Sequence, residues 1–247
     1  MKKKVVGLLV VALFAFIAVL VSCNKEPEVN SKVGTLGPAG GYIFYDCDAD
    51  NDSGNADNLI SSECGWRYLE AAPENVGAYY ESGELLGYRD YIFGYYRGYS
   101  IGSNKTVGTE TRIGKGKANT EALVKVMGET AYADSSRDDK DTYAAKACVD
   151  YSVTKDGITY NDWFLPSRDE LNLMYVNLHK NGMGSFVPSF DVEYDEEYYG
   201  PFGYWSSSES SDESAWLQYF DDRSSHYGSC RNGRGETYYV RPIRAFK

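Results

Sequence analysis

The sequence predicts an α+β domain, strand-rich with two to three flanking helices. Three observations carry that reading. Short aromatic and β-branched runs, such as Gly40-Gly41-Tyr42-Ile43-Phe44-Tyr45, are bounded by Gly, Pro and Asp, as strands are. A helix signature stands at Ser167, where Ser167 and Glu170 form an S-x-x-E capping box. The chain also holds 23 Tyr and 25 Gly, a composition suited to an exported domain with many turns.

The elements follow in order. Lys2-Lys3-Lys4, an uncharged apolar run from Val5 to Val21, and Leu20-Val21-Ser22-Cys23 make a secretory leader resembling a lipobox. Residues 1–22 are read as the signal peptide, with lipid placed on Cys23. Residues 23–33 form a polar tether and 34–247 one domain with its own core. The first strand covers Gly40–Tyr45, and Gly65–Pro73 is the second, stopped by its proline. Between 77 and 104 the chain is Tyr- and Gly-rich, and short strands are expected. Its tyrosines (Tyr79, Tyr80, Tyr88, Tyr91, Tyr95, Tyr96, Tyr99) suit strand packing and ligand stacking alike. Asn119-Thr120 is the predicted cap of a helix that Gly128 stops, and Thr142–Tyr151 is a further helix.

From Ser167, the positions Leu171, Met174, Tyr175 and Leu178 recur at i, i+3, i+4 and i+7, one face of a helix that ends at Asn181-Gly182. His179 is placed at its C-terminus, where positive charge suits the dipole. Phe202–Ser208, Ala215–Phe220 and Tyr238–Phe246 are strands. The last two frame a polar run without Leu, Ile or Val, "DDRSSHYGSCRNGR" at 221–234.

Charge and motifs exclude several functions. The net charge is −11, and more negative by three once Lys2, Lys3 and Lys4 leave with the leader. That balance argues against nucleic acid as a partner. No H-E-x-x-H, G-x-S-x-G or P-loop occurs, so the chain is read as a non-enzyme. Asp46, Asp48, Asp50 and Asp52 alternate along an acidic loop, as hard oxygen ligands for Ca²⁺ do. A solvated acidic turn has the same composition, and the EF-hand spacing fails at Ser53 and Leu59. No other cofactor is implied. Four cysteines follow Cys23. Cys47 and Cys64 would close the acidic loop as a disulfide. Cys148 is read either as a buried thiol or as a partner of Cys230.

A set of segments comes in one order: "GPAGGYIFYD" at 37–46, "GWRYLEAAPEN" at 65–75, "IGKGKANTEA" at 113–122, "YAAKACVD" at 143–150, "DWFLPSRDELNLMYVNLHKNGMGSF" at 162–186, "YWSSSES" at 204–210 and "YVRPIRAF" at 239–246. Together they resemble the DUF1566, or Lcl C-terminal, domain of bacterial surface lipoproteins. The resemblance implies a C-type-lectin-like fold of twisted antiparallel sheets. In that fold the N- and C-terminal strands pair and the segment between the last strands is displayed for binding. The formylglycine-generating enzymes share the fold but use a cysteine pair in the site, where this sequence offers only Cys230.

The expected function is ligand recognition at the bacterial envelope, on the outer membrane or cell surface, by a lipid-anchored protein. A protein or glycan would be bound by Tyr219, Asp221, Asp222, Arg223, Ser225, His226, Tyr227, Ser229, Arg231, Asn232 and Arg234, a set with the composition of an adaptable paratope. The alternatives are a structural envelope lipoprotein without a soluble ligand, or an enzyme of the formylglycine-generating type.

Overall fold

A computed structural model describes residues 31–49, 61–82, 84–94, 106–128, 142–187, 203–220 and 229–247. The leader, Cys23 and most of the tether therefore lie outside the described residues. In chain order the strands are β1 (Ile43–Asp46), β2 (Tyr68–Ala71), β3 (Ala78–Glu81), β4 (Glu84–Tyr88), β5 (Tyr91–Ile92), β6 (Val153–Lys155), β7 (Ile158–Tyr160), β8 (Gly203–Glu209), β9 (Ser214–Tyr219), β10 (Ser229–Gly233), β11 (Thr237–Tyr238) and β12 (Ile243–Phe246). The helices are α1 (Ser61–Cys64), α2 (Gly116–Met127), α3 (Ala144–Val149) and α4 (Arg168–Asn177), the last followed by a 3₁₀ turn, His179–Asn181. The architecture is mixed α and β with several small antiparallel sheets. Among the described residues, no helix is long and apolar enough to cross a membrane.

The first and last strands share a sheet but do not pair. The order is β1-β2-β12, with β2 antiparallel to both neighbours. Glu70 explains why β2 takes the centre. Its carboxylate is fully buried and reaches to both sides. Oε1 accepts the Ala39 and Gly41 N–H groups, each at 3.0 Å, which fixes the turn that leads into β1. Oε2 accepts Arg244 Nη1 at 3.2 Å, and Arg244 stands directly across from Glu70 on β12. Arg244 in turn grips Asp162 with two bonds of 2.8 and 3.0 Å. Burial pushes the Glu70 carboxyl above its usual range, while Arg244 and the two N–H groups pull it back. The turn must also come close. A Cβ on Gly41 would stand 1.7 Å from the Ala71 carbonyl oxygen, so only glycine fits there.

Two apolar clusters lie on either side of β8. Tyr204 enters one, with Phe44, Leu171, Met174, Phe220 and Ile243, between the β1-β2-β12 sheet and α4. Trp205, one residue on, enters the other, with Phe93, Leu123, Cys148, Leu217 and Val240. The two-residue period of a strand does this directly. The Trp205 indole N–H donates to Tyr91 O at 2.8 Å, so its one polar atom is satisfied inside the core.

β8 then leaves its partner. Its register with β9 shifts between Trp205 and Glu209, and Ser206, Ser207 and Ser208 are all fully buried. Their hydroxyls donate to three different segments: Ser206 to Trp216 O, Ser207 to Pro166 O and Ser208 to Glu110 O.

The helices follow their sequence signals unevenly. Both halves of the Ser167–Glu170 capping box form, at 3.3 and 2.7 Å, and Leu171, Met174, Tyr175 and Leu178 are the buried face. Gly128 and Gly182 end their helical segments at φ 69° and 68°, as expected. α2, however, begins at Gly116, and Asn119 and Thr120 lie inside it instead of capping it. Asn119 uses its amide on Glu110 N, Glu110 O and Ser207 Oγ. Thr120 Oγ1 accepts Leu165 N at 3.0 Å. His179 stands at the C-terminal end of the helix as expected, in the 3₁₀ turn that follows α4. It is also buried, stacked on Tyr175 at 5.5 Å and beside Phe220 at 5.3 Å.

Two outcomes are expected. Glu70→Ala leaves Arg244 short of one carboxylate and two turn N–H groups without an acceptor. Urea unfolding should show a loss of about 3–5 kcal/mol. The second concerns Glu170, which is buried and also accepts Gly114 N–H at 2.8 Å. Burial raises its carboxyl from 4.5 to about 7, against the pull of the Ser167, Gly114 and Gly116 N–H groups. A carboxyl raised on folding holds its proton more tightly when folded. Its contribution to stability is therefore complete below about pH 4.5 and is lost as pH rises through about 7. Between about pH 5 and about pH 8 the wild type should lose stability relative to Glu170→Gln, whose profile lacks that fall.

Candidate functional site

The polar run near the C-terminus contains a strand. Residues 229–233 form β10, the outer member of the sheet ordered β10-β9-β8. Its register on β9 is continuous, from Ser229 opposite Gln218 to Gly233 opposite Ser214. A polar sequence pairs here because its inward positions have partners. Cys230 packs against the Trp205 cluster, and Asn232 Nδ2 donates to Tyr238 OH at 2.6 Å. Without Val or Ile, the stretch gives no strand signal by composition.

The predicted ligand-binding residues divide into four groups. Asp221, Asp222, Arg223, Ser225, His226 and Tyr227 lie outside the described residues. Ser229, Arg231 and Asn232 are exposed on β10. Ser229 Oγ donates to Gln218 Oε1 at 3.0 Å, which orients its hydroxyl. Tyr219 is half-buried, its ring edge-on to Tyr238 and its hydroxyl 3.4 Å from that of Tyr238. Burial, then the Tyr238 hydroxyl, push the Tyr219 phenol up.

Arg234 is a correction. It was expected on the surface, yet its side chain is 0% exposed. Nη2 pairs with Glu209 Oε1 at 2.6 Å and donates to Ser211 O at 2.8 Å, and the guanidinium lies 5.3 Å over the Phe93 ring. The second Glu209 oxygen accepts Val107 N–H and the Thr109 hydroxyl at 2.9 and 3.2 Å. Arg234 therefore fastens the end of β10 to the 107–109 segment.

Two residues absent from the predicted set adjoin the exposed ones. Trp216 is opposite Arg231 in the ladder, so both side chains share one face of the sheet. The Trp216 ring is half-exposed, with the Arg168 guanidinium 5.2 Å above it. Arg168 is the first residue of α4, and its backbone N–H donates to Ser208 Oγ at 3.0 Å. Alternation along β9 could have found Trp216, since Ala215 and Leu217 are the buried neighbours. The link to Arg168 has no local signal. The resulting surface is an aromatic plate with a guanidinium above it, a second arginine beside it and hydroxyl and amide groups along the edge.

The acidic loop is described in part. Asp46 is buried and takes Arg67 Nε and Nη2 at 2.8 and 3.0 Å. Arg67 Nε is also 3.5 Å from Asp48 Oδ2. Asp46 is thus an ion-pair partner of Arg67 where the sequence suggested a calcium ligand. Asp50 and Asp52 lie outside the described residues. Among the described residues no three His, Cys, Asp or Glu side chains gather as a metal site.

Cys47 and Cys64 stand as separate thiols with sulfurs 4.0 Å apart. Burial, then Cys64, Asp48 and Asp46, push the Cys47 thiol up to about 12. Cys148 is a fully buried thiol, raised by burial. Cys230 is a half-buried thiol, raised to about 11 by burial while a hydrogen bond from Tyr219 pulls the other way. In the Tyr belt, Tyr91 is buried and Tyr88 meets Tyr239 edge-on at 6.5 Å. Both are packing roles. Tyr95, Tyr96 and Tyr99 lie outside the described residues. No protein-family model and no curated protein sequence matches the chain.

Glu209→Ala removes the carboxylate paired with the buried Arg234 and should lower unfolding free energy by about 3–5 kcal/mol. Asn232→Ala removes two hydrogen bonds near the surface, to Tyr238 OH and from Gly233 N–H, and should lower it by only about 1–2 kcal/mol. Chemical denaturation of the two variants side by side checks the contrast.

Proposed function

We propose that this chain is a lipid-anchored bacterial surface protein of the DUF1566 type. It recognises a protein or glycan through β10 and the segment that leads into it. The observation that carries the reading is the outer strand itself. Ser229, Arg231 and Asn232 are exposed there on a sheet fastened by Arg234, Gln218 and Tyr238. A fixed frame carrying polar and aromatic contact groups loses little entropy on binding. Trp216, with Arg168 above it and Arg231 beside it, supplies the flat apolar contact and cationic flank common at the centre of recognition surfaces.

The C-type-lectin-like arrangement belongs to the same proposal. It is supported by small antiparallel sheets, by a last strand that returns to the sheet of the first, and by a helix packed against that sheet. The tripositive leader, apolar run and Cys23 support an envelope location with the protein tethered by acyl chains.

The test uses bacteria displaying the full chain, wild type or the triple variant Ser229→Ala, Arg231→Ala, Asn232→Ala. Binding is read on glycan and host-protein arrays. The variant should lose binding at least about tenfold, as for removal of one or two interface anchors, while staying folded, its melting temperature lowered by no more than the several degrees expected from losing the side-chain bonds of Ser229 and Asn232. Equal binding by the two strains would refute the assignment of β10.

A further inference from the structure

Cys47 and Cys64 are seventeen positions apart in sequence, yet a rigid frame brings them together. Cys47 follows β1, and its N–H donates to Arg67 O at 2.9 Å. The Asp46–Arg67 ion pair holds the same corner. Both sulfurs point at one acceptor, the Trp66 carbonyl oxygen, at 3.3 Å from Cys47 and 2.9 Å from Cys64. Their environments differ. Cys47 is only 2% exposed, whereas Cys64 is half-buried at the end of α1 and reaches solvent.

We propose that these two cysteines form a dithiol–disulfide site with a fixed order of attack, in which Cys64 enters and Cys47 resolves. The oxidant is a disulfide, that of a thiol-oxidising protein or of a small disulfide compound of the exported compartment. The Cys64 thiolate attacks one oxidant sulfur, forms a mixed disulfide and expels the other sulfur as a thiolate. The Cys47 thiolate then attacks Cys64 Sγ, closes the Cys47–Cys64 bond and expels the second oxidant sulfur. Two electrons and two protons pass from the cysteine pair to the oxidant, which leaves reduced. The product clamps both ends of the 48–63 acidic segment beside Trp66 and Arg67. Closing a loop of that size restrains the unfolded chain. The site is independent of what β10 binds.

The order of attack makes the test specific. Reduced full-length protein is treated with oxidised glutathione, and the peptides carrying residues 47 and 64 are mapped by mass under non-reducing conditions. The wild type should end with an internal Cys47–Cys64 bond, no retained glutathione at either residue, and a melting temperature raised by about 5–10 °C. Cys47→Ser should trap one glutathione on Cys64. Cys64→Ser should take up little or none on Cys47. A wild type that keeps both residues as thiols, or holds glutathione on them without closing, overturns the proposal. Equal trapping by the two single variants overturns the order of attack. The wild-type result stands alone should either variant fold poorly.

Discussion

Glu70 is the interaction on which the rest of this structure depends. A carboxylate away from water is costly unless hydrogen bonds and a counter-charge replace its hydration. Here two N–H groups of the 39–41 turn and the guanidinium of Arg244 do so. One side chain thereby joins the entry to β1, the central strand β2 and the last strand β12. Glu209 repeats the device with Arg234, and Glu170 repeats its hydrogen bonds without a counter-charge among the described residues, which leaves its carboxyl raised to about 7. Glu170 holds Gly114 and Ser167, and Glu209 holds Val107 and Arg234. Segments without secondary structure of their own are ordered by carboxylates at their backbone N–H groups. The negative composition has the same source in part, since Asp46, Glu70, Glu170 and Glu209 all face inward.

This internal frame separates two kinds of arginine at the edge of the molecule. Arg234 is buried and ends β10 on Glu209, whereas Arg231, three residues earlier, is exposed beside Trp216. The outer strand can then carry varied polar groups without risk to the fold. Its inward side is held by Cys230 against the core and by Asn232 on Tyr238. Arg168 has a similar double place. Its backbone caps β8 at Ser208 while its guanidinium covers Trp216.

Features with local causes were legible in the sequence. The capping box at Ser167, the apolar face of α4, the glycine stops and the α+β class all rest on spacings of a few residues. What was illegible rests on distant partners. The bonds from Glu70 to the turn span 31 and 29 positions, and the one to Arg244 spans 174. No periodicity announces such pairs, so β2 was not foreseen between the first and last strands. Asn119 and Thr120 looked like caps because their residue types suit caps. A core position that needs several polar bonds at once suits them equally well. The polar neighbours of Arg234 suggest a surface position, although its own partner is Glu209.

The carboxylate-fastened frame and the exposed edge proposed for recognition meet within residues 229–234. The most direct measurement is a complete substitution scan of those six positions, scored separately for folded protein at the cell surface and for binding. The account predicts that Ser229 and Arg231 accept most residues without loss of folded protein while binding changes, that Asn232 loses a little folded protein through its bonds to Tyr238 and Gly233, and that Arg234 accepts almost none. Folded-protein scores that fall equally at Arg231 and Arg234 would contradict it.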